Sequence, residues 1–487
     1  MRIPTHSELA QSVRSLSFNE WLALLLVLAP AILEVAYIRF FGVNVVSWDQ
    51  WDFVPYIEKM FQHNLSLSEL FSQHNDHRLF FPRIVMLALA YISNYNNLYE
   101  MYFSSALTFL ALALIFSMYK SDFGTSAKML MAFIPVSFLM FNLKQYGNIL
   151  WGFQLQVYMS VIGFIISIYL LDRSYKFNIK FLLAVFGGIL ASYSFANGLA
   201  VWPAGLFFIL ISGKEKIMAA FWSFFGLMTA TLYFINWVRP VSNPSTFFIL
   251  EHPLKGLLYF ACNIGSPLGL IIPVASGIGL ILIAILFIEV IILAKCDLVA
   301  KNAKWLSFIL FSLLSSFAMA VFRSGFGIQQ ALVSRYITIT SLAIIGIYLL
   351  ALSIYNMNSK NKMHRSMMAI ILIILFFGLT SGYMYGLIEG PSFSVSRMDD
   401  AYHLKTYRLQ PDNNLAGLYP DPKIVRQRAP ILERYGLNVF AEGYDNMNSS
   451  NDLLTDRFYN MHNINNTIQQ SVSRYKIMLR GVNKLFV

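Results

Sequence analysis

Eleven stretches of the chain are apolar for roughly 15 to 22 residues each, which is the scale on which a helix crosses a bilayer. They lie near 20–38, 99–119, 129–143, 153–171, 181–196, 197–213, 217–237, 275–295, 305–322, 336–356 and 366–387. No single soluble core can bury so many. Hydrophobic residues make up 57% of the chain and charged residues only 13%, about half the charged share of an average soluble domain. Such a chain cannot cover a water-facing surface with polar groups. A soluble enzyme, a disordered protein and a nucleic-acid-binding module are therefore excluded. The expected fold is an all-α polytopic membrane protein of about eleven transmembrane helices.

Two segments need separate treatment. The apolar run from Phe181 to Ile211 is too long for one span and short for two. Its break at Ser194–Gly198 predicts two helices meeting in a tight turn. The run from Leu79 to Ile92 is short and contains Pro82 and Arg83, which predicts an interfacial helix. The first run, from Trp21 to about Ile38, has span length and no small-residue cleavage site after it, so it reads as a retained helix. Two cysteines, Cys262 and Cys296, exclude a disulfide framework.

The net charge of +11 belongs to the loops. One alternate set holds Lys120, Lys128, Arg173, Lys176, Lys180, Lys214, Lys216, Lys295, Lys301, Lys304, Lys360, Lys362 and Arg365. The opposite set holds only Lys144, Arg239, Lys255, Arg323 and Arg335. Basic loops stay in the cytoplasm, so the first set is expected there together with Arg2, Arg14 and the N-terminus. An odd number of spans then places the tail, 388–487, outside as a small external domain. The unit 1–387 is the membrane domain.

The unusual sequence lies on the expected outer face. The loop 46–80 carries Asp49, Asp52, Glu58, Glu69 and Asp76. Val54, Ile57, Met60 and Phe61 fall at helical spacing, so 52–62 can lie as an amphipathic helix at the interface. Trp48 and Trp51 suit headgroup depth. Asp49 and Asp52 would then stand just above the membrane, as candidate general bases or as plain solvated anchors. His74, Asn75, Asp76, His77 and Arg78 form one polar run. His74, Asp76 and His77 could ligate a metal, but no HExxH or equivalent spacing supports it, and no metal is expected.

Other polar groups sit at membrane level. Glu34 lies inside the first span, where an ionisable residue is a functional candidate or a carboxyl satisfied within the bundle. The stretch 144–156 mixes amides and aromatics, including Trp151 and Gln154. Rings and amides together suit a sugar, and equally an aromatic belt with helix caps. Asn197 belongs to the same face. Arg323 and Arg335 could pair with a lipid phosphate or simply snorkel to the interface. No GxGxxG follows a strand and no P-loop occurs, so no nucleotide cofactor is expected.

The segments WDQWDFVP, QHNDHRLFFPR, ILWGFQLQ, ANGLAVWPAG, SRY and LYPDP resemble segments of the bacterial and phage O-antigen glucosyltransferases that alter serotype. With the acidic first loop, the arrangement is similar to the C-type fold of integral-membrane glycosyltransferases. The resemblance implies a sugar, glucose in that family, carried on undecaprenyl phosphate and transferred outside the inner membrane to a lipopolysaccharide O-antigen. It implies a first-loop carboxylate as base, matching Asp49 or Asp52, with Asp76 third. It implies an inverting displacement with arginines on the departing phosphate, for which Arg78, Arg83, Arg323 and Arg335 are candidates; His74, His77, Trp151, Gln154, Asn197 and Glu34 are further substrate-binding candidates. Membrane lipids, and separate proteins that make and flip the donor, are the implied partners. The competing readings are an O-antigen polymerase or ligase, and a flippase or transporter of lipid-linked sugar.

Overall fold

The computed structural model describes residues 17–241 and 243–442. It is an all-α membrane protein: nine helices among the described residues are long and apolar enough to cross a bilayer. In chain order the helices used below are α1 Phe18–Phe41, α2 Val54–Phe61, α3 Phe80–Ser93, α4 Asn97–Phe123, α5 Ala127–Met140, α6 Leu155–Asp172, α7 Ile179–Ser192, α8 Val201–Ile211, α9 Lys216–Phe234, α10 Pro253–Gly265, α11 Ile272–Lys295, α12 Ala303–Arg323, α13 Ile337–Met357, α14 Lys362–Lys405 and α15 Pro422–Arg434.

Helix α1 begins with a reciprocal cap. Glu20 donates its backbone N–H to Ser17 Oγ, and the Glu20 carboxylate accepts from the Ser17 backbone at 2.7 Å. The expected break near Ser194–Gly198 is present, between α7 and α8. These two are 14 and 11 residues long, shorter than the span length that their combined apolar run suggested. The 79–92 run folds as α3, whose buried face is Met86, Leu87 and Ala90.

Helices approach closely where glycine allows it. A Cβ on Gly163 of α6 would stand 2.7 Å from the Gly187 carbonyl oxygen and the Ala191 nitrogen of α7. Small residues at such crossings are the usual way for helices to pack in lipid, where apolar burial offers little driving force. The central helix α13 is buried along nearly its whole length. Phe311 of α12 stacks on Phe164 of α6 at 4.1 Å, which joins the middle of the bundle.

The two expected sets of loops gather at opposite ends of the bundle. At the basic end, Lys304 pairs with Asp122 at 2.7 Å and Asp172 at 3.4 Å, and Trp305 Nε1 donates to Asp122 at 2.9 Å. At the other end, α2 and α3 share a hydrophobic core with the chain beyond residue 400. Val54, Ile57, Leu87 and Ala90 belong to one cluster with Leu404, Leu415, Val425 and Leu432.

The change of composition near 388 does not coincide with an end of structure. Helix α14 runs 44 residues through it, about 66 Å at 1.5 Å per residue. It crosses the bundle and continues well past a hydrocarbon core of about 30 Å. The described part of the tail is thus built onto the first loop. The Asn-rich stretch 446–467 lies outside the described residues, as do Arg2 and Arg14.

Candidate functional site

A cavity of about 740 Å³ opens at the end of the bundle that carries the first loop. Residues from seven separated segments line it, from Ser47 to Arg397. It lies where several helices end at different depths, and the short turns between them fill the gap.

The WDQWD sequence forms a single tight helical turn, Trp48–Asp52, ahead of α2. Trp51 and Gln50 are fully buried, which leaves Trp48, Asp49 and Asp52 as the turn's partly exposed side chains. Asp49 reaches the cavity. His74 stands beside it, with Nε2 3.9 Å from the carboxylate. Asp52 points away from the cavity. Arg428 of α15 donates to its carboxylate at 2.6 Å and to the Trp51 carbonyl at 2.7 Å, and Tyr419 OH donates at 3.4 Å.

The polar run 74–78 folds as a short hairpin with Gln73 opposite Arg78 and His74 opposite His77. Asn75 takes the left-handed conformation, φ 49°, which asparagine tolerates in such turns. The turn projects Asp76 and His77 into the cavity. Asp76 is ion-paired with Arg323. Asn243 joins both, donating to Asp76 at 2.7 Å and accepting from Arg323 at 2.8 Å.

The His77 ring stacks on Phe195 at 4.2 Å, and its Nδ1 accepts from the Ala196 backbone N–H at 3.3 Å. Burial, then the positive charge of Arg323, His74 and Arg335, holds this imidazole well below the usual histidine range. It is neutral at pH 7. With Nδ1 accepting, the proton resides on Nε2.

The arginines divide by their partners. Arg78 is buried and donates to the carbonyls of Tyr233, Phe71 and Ile235. Arg83 is buried and donates to those of Leu70 and Ser72 at 2.8 and 2.6 Å. Arg83 ties the first loop to itself, Arg78 ties it to the end of α9, and neither lines the cavity. Arg323 and Arg335 do line it. The Arg335 guanidinium is exposed and has no hydrogen-bond or ion-pair partner among the described residues.

Of the other residues singled out from the sequence, Trp151, Gln154 and Asn197 line the cavity. Trp151 Nε1 donates to Gln50 at 3.3 Å, and Asn197 donates to the Ser315 carbonyl at 3.2 Å. Glu34 is 1% exposed inside the bundle and lies apart from the cavity. No group of three or more metal-ligating side chains occurs among the described residues.

Sequence reasoning passed over Arg397. It lines the cavity from the extension of α14, pairs with Asp400 at 2.9 Å and lies over the Phe393 ring at 5.3 Å. The signal was Phe393, Arg397 and Asp400 at helical spacing, readable once α14 is carried beyond 387. Gln156, Tyr146 and Asn243 add to the polar lining.

No protein-family model matches the chain. No solved structure matches it either. Among curated proteins, an uncharacterized protein of Archaeoglobus fulgidus is 29% identical over 240 residues, covering 45% of this chain and 60% of that protein. The chain thus spans less than two thirds of that relative's length.

Proposed function

We propose that this protein is an inverting glycosyltransferase that takes a sugar from a polyprenyl phosphate and passes it to a hydroxyl on a second substrate. The observation that carries this reading is a pair of groups lining one cavity. Among the described residues, Asp49 is a carboxylate beside a histidine with no Lys or Arg paired to it, and Arg335 is a guanidinium with no carboxylate paired to it. A base and an anion receptor facing a membrane-level cavity suit transfer from a lipid-linked phosphate. Pockets of this size bury a sugar with its phosphate comfortably.

The step can be written with these groups. The Asp49 carboxylate takes the proton from the acceptor hydroxyl. That oxygen attacks the anomeric carbon from the face opposite the phosphate. The anomeric C–O bond to phosphate breaks, and the polyprenyl phosphate leaves with the electron pair. Arg335, with Arg323 and Arg397 lining the same cavity, stabilises the growing negative charge. One displacement inverts the centre, and a single carboxylate serves where a hydrolase would use two. His77 Nε2–H, Gln154 and Asn197 supply neutral donors and acceptors for sugar hydroxyls. Glucose as the sugar, an O-antigen as the acceptor, undecaprenyl phosphate as the lipid and the outer side of a bacterial inner membrane follow from the family resemblance.

The test is transfer of labelled sugar from a polyprenyl phosphate by the purified protein in vesicles. Asp49→Asn is expected to lower the rate by about 10²–10⁴-fold, the range one general base supplies. Asp52→Asn keeps the cavity carboxylate and is expected to retain measurable transfer. Arg335→Ala should raise the KM for donor. Full transfer activity in Asp49→Asn would sink Asp49 as the base; a wild type that transfers no sugar would sink the transferase itself, and a transporter of lipid-linked sugar would behave that way.

A further inference from the structure

The residue beside Asp49 is held in a conformation that its own chemistry resists. Trp48 has φ 52°, in the left-handed region where a bulky side chain is an outlier. Such backbone positions cost free energy and persist only where their surroundings impose them. The surroundings here are specific. The Trp48 N–H donates to the Leu418 carbonyl at 2.7 Å. Arg428 holds the Trp51 carbonyl from the same side, and Trp51 is sunk into the loop core.

The Trp48 indole is 48% exposed, lines the cavity, and has no ring or cation stacked on it among the described residues. Trp51, three residues on, shows that this turn can bury an indole. A large flat apolar surface has been kept open immediately next to the base.

We propose that Trp48 is the platform on which the acceptor docks, and that the acceptor is a pyranose whose apolar face stacks on the indole while one hydroxyl reaches Asp49. This rests on the transferase reading above and adds the acceptor site to it. A flat ring with hydroxyls at its edge is the chemistry that fits: the indole takes the C–H face, and Asp49 with the amides of the cavity takes the edge. The donor phosphate lies with the arginines. Trp48 therefore acts on acceptor affinity and leaves donor affinity alone. An indole that merely anchors the loop among lipid headgroups would do the opposite.

The experiment varies acceptor and donor separately. Purified full-length protein is given undecaprenyl-phosphate glucose and a soluble, delipidated O-polysaccharide as acceptor, so that acceptor concentration changes without touching the membrane. The first variant is Trp48→Asn, because asparagine accepts the left-handed backbone and the turn stays folded. The second is Trp48→Phe, which keeps a ring. Trp48→Asn is expected to raise acceptor KM about tenfold, the scale of one aromatic contact. Its donor KM stays at the wild-type value, and its thermal unfolding midpoint stays at or above that of the wild type. Trp48→Phe recovers acceptor KM to within about threefold of wild type.

An unchanged acceptor KM in Trp48→Asn, with the wild type active, overturns the platform and leaves the transferase intact. A change confined to donor KM identifies a headgroup anchor and overturns it likewise. A lowered unfolding midpoint with all constants disturbed shows a structural tryptophan. A wild type that transfers no sugar removes the transferase reading and this proposal with it.

Discussion

Asp49 and Asp52 stand three residues apart in one turn, and only their distant neighbours separate them. Asp52 meets Arg428, 376 positions further along the chain, and becomes part of a joint. Asp49 meets the cavity. Nothing in WDQWD distinguishes the two, which is why both remain open as bases when the sequence is read alone. The arginines teach the same lesson. Arg78 and Arg83 lie in the same polar region as Asp76, yet their donors are consumed by backbone carbonyls. Arg335 is left without a partner among the described residues because it sits on a turn between α12 and α13 that faces open space. His77 offers a prediction at this scale. Unfolded, it titrates near 6.5; folded, burial and nearby positive charge hold it well lower. Between those two values only the unfolded chain binds the proton, so stability is complete above about pH 6.5 and is lost as pH falls below it. Unfolding midpoints at pH 7.5 and 5.5 should therefore drop more in the wild type than in His77→Gln, which keeps an acceptor for the Ala196 N–H. Equal drops in both would show that another group carries the effect.

At the scale of elements, the tail and the first loop are one structure. Long-range pairing of this kind has no periodicity to announce it. The spans were legible because an apolar run of fixed length has few alternatives in lipid. The amphipathic spacing of 52–62 was legible for a similar reason, and it appears as α2. The continuation of α14 was not. Its residues past 388 lose the apolar run while keeping helical phase, and hydropathy alone reads that loss as an end. Carrying the helix on brings Arg397 to the cavity, and α15 brings Arg428 to the WDQWD turn. The joint is testable by a double-mutant cycle on stability. Asp52 and Arg428 are in contact, so Asp52→Asn and Arg428→Gln should be non-additive, with a coupling of about 0.5 kcal/mol or more. The pair is partly exposed, at 33% and 22% for the two side chains, which keeps the expected value at the low end. Additive effects would mean that α15 is held to the loop by its apolar face, Val425, Ala429 and Leu432, with no contribution from the ion pair.

For the whole molecule, the decisive property is that its two ends differ. One end closes on itself through Lys304, Asp122 and Asp172, with Lys214 donating to the Asp172 carbonyl at 3.3 Å. The other end opens into the cavity. A molecule sealed at one end and open at the other suits chemistry performed on one face of a membrane. Charge gives the expectation for which face that is: the closed end gathers the basic loops, and an excess of Lys and Arg marks cytoplasmic loops. The chain carries its own probe for this. Cys262 is buried and Cys296 is exposed, and Cys296 follows α11 at the sealed end. Gln329 is exposed in the turn before α13 at the open end, outside the cavity lining. In the variant Gln329→Cys, an impermeant thiol reagent added to intact cells should label position 329 and leave Cys296 untouched. Lysis should then expose Cys296 to the same reagent. Labelling of Cys296 in intact cells, with position 329 protected until lysis, would invert the orientation. The cavity would then face the cytoplasm, Asp49 would meet a different pool of acceptors, and a donor moved across the bilayer before transfer would no longer be needed.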